Sequence, residues 1–397
     1  MTPLALTAFT ATSCLGRGLG ATFAALEGAR TGLAPCRFET VTLDTHVGEV
    51  AGVDDERLPG ELEEFECRNN RLALLGLRQD AFDEAVRTAA GRLGPKRVGL
   101  WLGTSTSGIL ETELAYRRRD PGTGALPADF RYRGAHNTFS VAAFVRRALG
   151  LEGPAAVISS ACSSSAKVFA SAQRAIAAGL VDAAVVGGVD SLCLTTLYGF
   201  HSLQLVARTP CRPFDVERDG LSIGEAAAFA LLERPESRPA AGSVLLLGTG
   251  ESSDAWHMSA PHPEGRGASA AMTQALAAAR LAPDEIDYLN FHGTGTPSND
   301  AAEARAVAAV LGTRIPGSST KGATGHTLGA AGGLEAVICA LALRHGLMPG
   351  GVNTRSIDPA LGVAYLLENR RAPLEAVMSN SFGFGGSNCS LVFGRAA

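Results

Sequence analysis

Four residues of this 397-residue chain pair a reactive side chain with an unusual local sequence: Cys162, His292, Lys321 and His326. Cys162 ends the run Val157-Ile158-Ser159-Ser160-Ala161, and a small-residue helix is predicted from Ala166 to about Leu180. A cysteine in the first turn of a helix meets unpaired backbone N–H groups and the positive end of the helix dipole. Both favour the thiolate, which is the nucleophilic form. Cys162 therefore reads as a nucleophile activated by its helix. The competing reading is a small buried side chain, which is what most free cysteines are.

His292 stands in Asn290-Phe291-His292-Gly293-Thr294-Gly295-Thr296-Pro297, and His326 in Lys321-Gly322-Ala323-Thr324-Gly325-His326-Thr327-Leu328-Gly329. Glycines and hydroxyls surround both rings. A neutral imidazole can donate one N–H to a developing oxyanion, and two of them could hold one carbonyl oxygen. Taken alone, His292 reads more simply as a turn histidine bonded to backbone. Lys321 is one of only three lysines in a chain whose other bases are arginines. Glu303 is a candidate partner charge, although a glutamate near a helix start is also favoured by the dipole alone. The stretch Ser381-Phe382-Gly383-Phe384-Gly385-Gly386-Ser387-Asn388 offers backbone amides and two phenyl rings to a ligand; otherwise it is a glycine-rich turn before the last strand.

Cys162, His292, Lys321 and the Asn380–Asn388 loop each sit where a predicted strand ends. In open parallel α/β sheets, ligands gather beyond the carboxyl ends of the strands. Periodicity predicts strands over 97–102, 182–187, 224–233, 243–250, 286–291, 315–320, 365–367, 376–379 and 390–393. Helices are predicted over 69–93, 138–149, 265–280, 300–311 and 328–344, with Asn299 or Asp300 capping the fourth. Residues 3–30 read as strand, turn and helix, with Gly16, Gly18 and Gly20 as turn punctuation. Residues 35–65 read as a surface excursion, 117–136 and 380–388 as loops, and 195–222 as a long irregular connection. The strand-to-helix unit at Cys162 has a counterpart about 160 residues later, where Ser318-Ser319-Thr320-Lys321 leads into Gly329–Ala336, as expected of an internal duplication.

Composition narrows the field. Apolar residues make up 46%, with 47 glycines, so a large core can be built. A net charge of −4 without a basic tail argues against nucleic acid as a partner. None of the eight cysteines forms Cys-x-x-Cys or pairs with histidine at zinc spacing, and His257 and His262 lack a third ligand, so no metal site is expected. No signal peptide and no membrane span are read, and free thiols suggest a reducing cytoplasm.

Ala161-Cys162-Ser163-Ser164, His292–Pro297, Lys321–Gly332 and Asn380–Gly386 together resemble the β-ketoacyl-acyl-carrier-protein synthases, of the elongating two-histidine type, within the thiolase-like superfamily. Gly103–Gly108, Arg68-Asn69-Asn70 and Gly250–His257 look most like the ketosynthases of bacterial aryl-polyene pathways. The resemblance implies a five-layer αβαβα sandwich of two duplicated halves, residues 1–240 and 241–397. It implies decarboxylative condensation of an acyl-Cys162 thioester with malonyl-carrier protein and no resident cofactor, because substrates ride on the carrier's phosphopantetheine. Catalytic roles fall to Cys162, His292, His326, Lys321 and Glu303, with Lys321 orienting His326 and tied to Glu303. Cys162 and Phe384 amides would form the oxyanion hole. Thr294 and Thr296 would hold the phosphopantetheine; Phe200, Phe382, Phe384 and Thr106 would border the acyl site, Thr106 at the position of a bulky gate in long-chain relatives. Arg68 and Arg71 become docking candidates for an acidic carrier protein. The chain would act as a homodimer or beside a ketosynthase-like chain-length factor. Two rival readings remain: a thiolase acting on acyl-CoA, and a non-catalytic chain-length subunit.

Overall fold

The structure, a computed structural model, describes residues 1–235 and 240–396. Ten strands form its main sheets: β1 (Leu4–Ser13), β2 (Val98–Gly103), β3 (Ala155–Ile158), β4 (Ala183–Asp190), β5 (Ala226–Glu233), β6 (Val244–Ser253), β7 (Tyr288–Asn290), β8 (Gly317–Ser318), β9 (Ala376–Gly383) and β10 (Ser387–Arg395). They run β1-β5-β4-β2-β3 in one half and β6-β10-β9-β7-β8 in the other, joined where Leu4 and Ala5 of β1 meet Leu246 and Leu245 of β6. In each half the first two pairings are antiparallel and the last two parallel. The same order and the same directions recur, so the duplication suggested by two similar turns is a property of both whole sheets.

Strand alternation builds the layers. Along β4, Ala184 and Val186 point into one core while Ala183 and Val185 point into another. The first core lies between the sheets and is filled by two helices, Ser164–Ala177 and Ala331–His345. The second is closed by helices Arg68–Leu77, Phe82–Leu93 and Ser140–Ala148. A third, outside the other sheet, is closed by Arg266–Ala279 and Pro297–Val310. The result is the five-layer αβαβα sandwich. The central helices approach so closely that a Cβ on Gly332 would lie 2.7 Å from the Cβ of Ala166. Leu328–His345 is the one helical stretch among the described residues long and apolar enough to span a membrane, and it is this buried central layer.

Several boundaries differ from expectation. The helix expected over 69–93 is two helices. The chain turns left-handed at Asp80 (φ 55°) and Ala81 (φ 53°), where the Asp80 carboxylate accepts from the Thr10 hydroxyl at 2.7 Å and the Leu19 amide at 3.0 Å. The 195–222 connection opens with a helix, Leu194–Ser202, whose first amides are capped by Glu113. Tyr365 makes only an isolated bridge to Gly317, so no strand covers 365–367. The helix expected from 300 starts at Pro297 behind Thr296, which displaces Asn299 and Asp300 from the cap. Strand β9 continues through Gly383 and β10 begins at Ser387, so only Phe384–Gly386 of the expected 380–388 loop lies outside the strands. Residues 117–136 end in a π-helical turn, Tyr132–His136, and 35–65 hold the short strand His46–Gly48 and the 3-10 helix Gly60–Phe65.

Candidate active site

Cys162 lies on a sharp elbow between β3 and the central helix. Ala161 just before it holds the left-handed conformation (φ 54°), and the helix begins only at Ser164. The elbow is pressed against the end of β9: a Cβ on Gly383 would lie 2.9 Å from the Ser160 carbonyl oxygen and 3.1 Å from the Cys162 nitrogen. That close approach lets the Phe384 amide, together with that of Cys162, address the sulfur.

The expected ready thiolate is corrected here. Burial pushes the Cys162 thiol up to about 11, and the Lys321 charge and the two amides only partly oppose it. Cys162 precedes the helix rather than lying in its first turn, and it is 4% exposed. In a dry site the cost of an ion outweighs the dipole.

His326 Nε2 is 3.0 Å from Cys162 Sγ, and its Nδ1 accepts the Leu328 amide at 3.2 Å. Nδ1 is thus an acceptor, and the ring proton sits on Nε2. His292 obeys the same logic, since the Lys321 ammonium, which can only donate, lies 3.3 Å from His292 Nδ1. Lys321 also donates to the His292 carbonyl at 2.6 Å. Both rings therefore present Nε2–H to the space beside the sulfur, with centroids 5.3 Å apart and planes near perpendicular at 83°. Burial and the Lys321 charge hold both imidazoles well below their ordinary pKa, so they are neutral at pH 7. The three groups bring one nitrogen or sulfur each within 4.8 Å of one another. A metal would need Nε2 unprotonated, and the donors on both Nδ1 atoms oppose that.

Lys321 departs from expectation in its partners. It is paired with Glu335 of the second central helix, not Glu303, and it touches His292, not His326. Glu303 instead accepts the backbone amides of His292 and Gly293, both at 2.8 Å, and the Asn380 side-chain amide at 3.2 Å. Burial raises the Glu303 carboxyl to about 7 against these three donors. Its part is to hold the His292 turn. Glu335 escaped the sequence reading, although a lone acid in the apolar helix Ala331–His345 is a signal that a buried cation lies beside it.

Two cavities meet at Cys162. One is lined by His292, His326, Thr294, Thr296, Phe382 and Phe384, among others. The other is bounded by Ser105, Ser159, Thr196, Phe200, Leu328 and Phe384. Phe200 and Phe384, stacked at 5.3 Å, stand between them. The Thr294 and Thr296 hydroxyls bond each other at 2.9 Å.

Three expected residues lie elsewhere. The Thr106 hydroxyl donates to Asp190 at 2.8 Å and turns away from the cavity, where Ser105 takes its place. Arg68 is buried beneath Glu225, Asp54 and Glu49. Arg71 is paired with Glu66. Neither arginine is free for a partner.

Residues 6–238 match the family description "Beta-ketoacyl synthase, N-terminal domain" and residues 244–355 match "Beta-ketoacyl synthase, C-terminal domain". A mitochondrial 3-oxoacyl-[acyl-carrier-protein] synthase of Arabidopsis thaliana is 35% identical over 84% of this chain and 78% of its own length. A 3-oxoacyl-[acyl-carrier-protein] synthase 2 of Mycobacterium tuberculosis is 39% identical over 59% of this chain and 60% of its own length. Among solved structures, a chain of the ketosynthase–chain length factor complex (ApeO with ApeC) of Xenorhabdus doucetiae superposes with a TM-score of 0.90 at 39% identity, covering 100% of this chain and 98% of its own. A chain of the ishigamide ketosynthase/chain length factor superposes at 0.88 with 26% identity, covering 99% of both.

Proposed function

The chain belongs to the β-ketoacyl synthase family, and on that premise we propose that Cys162 is the acyl carrier and the two histidines the decarboxylation machinery of a 3-oxoacyl-[acyl-carrier-protein] synthase. The observation that carries this reading is the tautomer of both rings. With Nδ1 occupied by Lys321 or Leu328, His292 and His326 each have one Nε2–H to give to one carbonyl oxygen.

The steps follow from these groups. The Cys162 sulfur attacks the thioester carbonyl of an acyl-phosphopantetheine. The amides of Cys162 and Phe384 hold the oxyanion, and the thiol proton leaves with the pantetheine thiolate. Malonyl-phosphopantetheine then enters the cavity of Thr294 and Thr296. Its thioester oxygen accepts both Nε2–H groups, the bond to the carboxylate breaks, and carbon dioxide departs with the electron pair left on an enolate. The enolate carbon attacks the acyl carbonyl, the carbon–sulfur bond to Cys162 breaks, and the sulfur takes up one proton from solvent, the proton that the decarboxylative condensation consumes. No resident cofactor is needed. The acyl chain lies in the second cavity, which Phe200 and Phe384 close off.

A chain-length-factor partner is supported by the likeness to the Xenorhabdus ketosynthase–chain length factor complex; an aryl-polyene product rests on the resemblance carried by Gly103–Gly108, Arg68-Asn69-Asn70 and Gly250–His257. Strand β3 is an open edge, half-buried along its length, and edge strands seek partners. Eight free cysteines support a reducing, cytoplasmic setting. The non-catalytic alternative conflicts with an intact nucleophile, and a thiolase needs a second catalytic cysteine near the C-terminus, whereas Cys389 is buried within β10 opposite Glu251.

The test separates the half-reactions. Cys162→Ala should abolish condensation. His292→Ala and His326→Ala should still form an acyl-enzyme detectable by mass spectrometry, while carbon dioxide release from malonyl-carrier protein falls by about 10²–10³-fold. Absence of the acyl-enzyme in both histidine variants would overturn this division of labour. Cleavage of acetoacetyl-CoA by free CoA without decarboxylation would instead mark a thiolase.

A further inference from the structure

The last residue of β4, Asp190, is fully buried and has no part in the mechanism above. Its carboxylate gathers five donors from two segments. From the Gly103–Gly108 loop it accepts the Thr104 hydroxyl at 2.7 Å, the Ser105 amide at 2.8 Å, and the Thr106 amide and hydroxyl, each at 2.8 Å. From the turn after His326 it accepts the Gly329 amide at 2.5 Å. The segments touch: a Cβ on Gly329 would lie 2.8 Å from both an Asp190 oxygen and the Ser105 hydroxyl oxygen.

The residue between His326 and this clamp is not at ease. Leu328 holds a left-handed backbone (φ 53°), which a side chain of its kind rarely adopts without surrounding restraint. That conformation aims the Leu328 amide at His326 Nδ1, at 3.2 Å. Leu328 and Ser105 also line the cavity assigned to the acyl chain.

We propose that Asp190 is a positioning residue for decarboxylation: by clamping the Leu328–Gly329 turn to the Gly103–Gly108 loop, it holds the amide that keeps His326 in its Nε2–H form. The same carboxylate ties the acyl-cavity wall to the histidine, so one anchor sets both. This assignment rests on the decarboxylative reading.

Asp190→Asn tests it. An amide puts an NH2 where one set of donors needs an acceptor. Expected is a fall of about tenfold or more in kcat for carbon dioxide release from malonyl-carrier protein, with KM little changed. Acylation of Cys162 should survive. Long-range ¹H–¹⁵N spectra of histidine-labelled protein should show His326 as Nε2–H in the unmodified enzyme and as a tautomer mixture in the variant. A merely structural role would not move that signature. Unchanged carbon dioxide release in a folded variant overturns the proposal, as does a pure Nε2–H His326 in a variant that has lost decarboxylation. Should the variant not fold, an Nδ1–H His326 in the unmodified enzyme still overturns it, and Nε2–H supports it. Failure of the unmodified enzyme to release carbon dioxide would sink the broader reading instead.

Discussion

Cys162 sits under opposed influences, and their balance sets its reactivity. Desolvation raises the thiol to about 11, whereas Lys321 and the amides of Phe384 and Cys162 pull it down. The free enzyme therefore holds a thiol at neutral pH, and its alkylation by iodoacetamide should still be climbing with pH above 9. Lys321 stabilises the thiolate, so removing its charge raises the pKa further. Lys321→Met should alkylate more slowly than the parent at every pH below the midpoint. A midpoint near 8 in the parent, or faster alkylation in the variant, would contradict this balance. The four reactive residues were legible because each lies in a run of glycine, serine and threonine, an unusual local setting for a reactive side chain. Their wiring was not. Glu335 lies 14 positions beyond Lys321, on another element, and nothing in a sequence says that two such charges meet.

At the scale of elements, the site is made by strand ends and by the two central helices. Strands β3 and β8 each run into a turn that leads to one of these helices, and the helices lie against each other at Gly332 and Ala166. Gly332→Ala would put a methyl 2.7 Å from the Ala166 Cβ. The central layer has no slack, so the change should cost about 1–3 kcal/mol by overpacking. Calorimetry should record a lower unfolding midpoint, and an unchanged midpoint would mean that the helices can part. Strands and central helices were largely readable because alternation and small-residue runs are local signals. The helix Leu194–Ser202 was not: Thr195, Thr196 and Gly199 argue against helix, and capping from Glu113, far off in the chain, outweighs them.

For the whole molecule, burying two neutral histidines links stability to pH. Each folded-state pKa lies well below the unfolded value near 6.5. The unfolded chain therefore binds protons that the folded chain refuses, and stability falls as pH drops below about 6.5. Each histidine contributes at most about 1.4 kcal/mol per pH unit to that slope. His326→Gln should flatten the urea-unfolding free energy between pH 6.5 and 5 relative to the parent; an equal or steeper slope would mean that His326 titrates normally in the fold.

By itself the sequence determined the reactive quartet and pointed to the duplication, because short motifs and strand-to-helix turns are written in neighbouring residues; the thiolase-like architecture followed from the family resemblance those motifs carry. Only the tertiary structure decided the partners: Lys321 with Glu335 and His292, Glu303 with backbone amides, Thr106 turned onto Asp190, Arg68 sunk among acids. It also decided that Cys162 rests as a thiol. Burial and pairing are set by what other elements bring to the same point, and desolvation, the largest effect on Cys162, His292 and His326, exists only once those elements have closed around them.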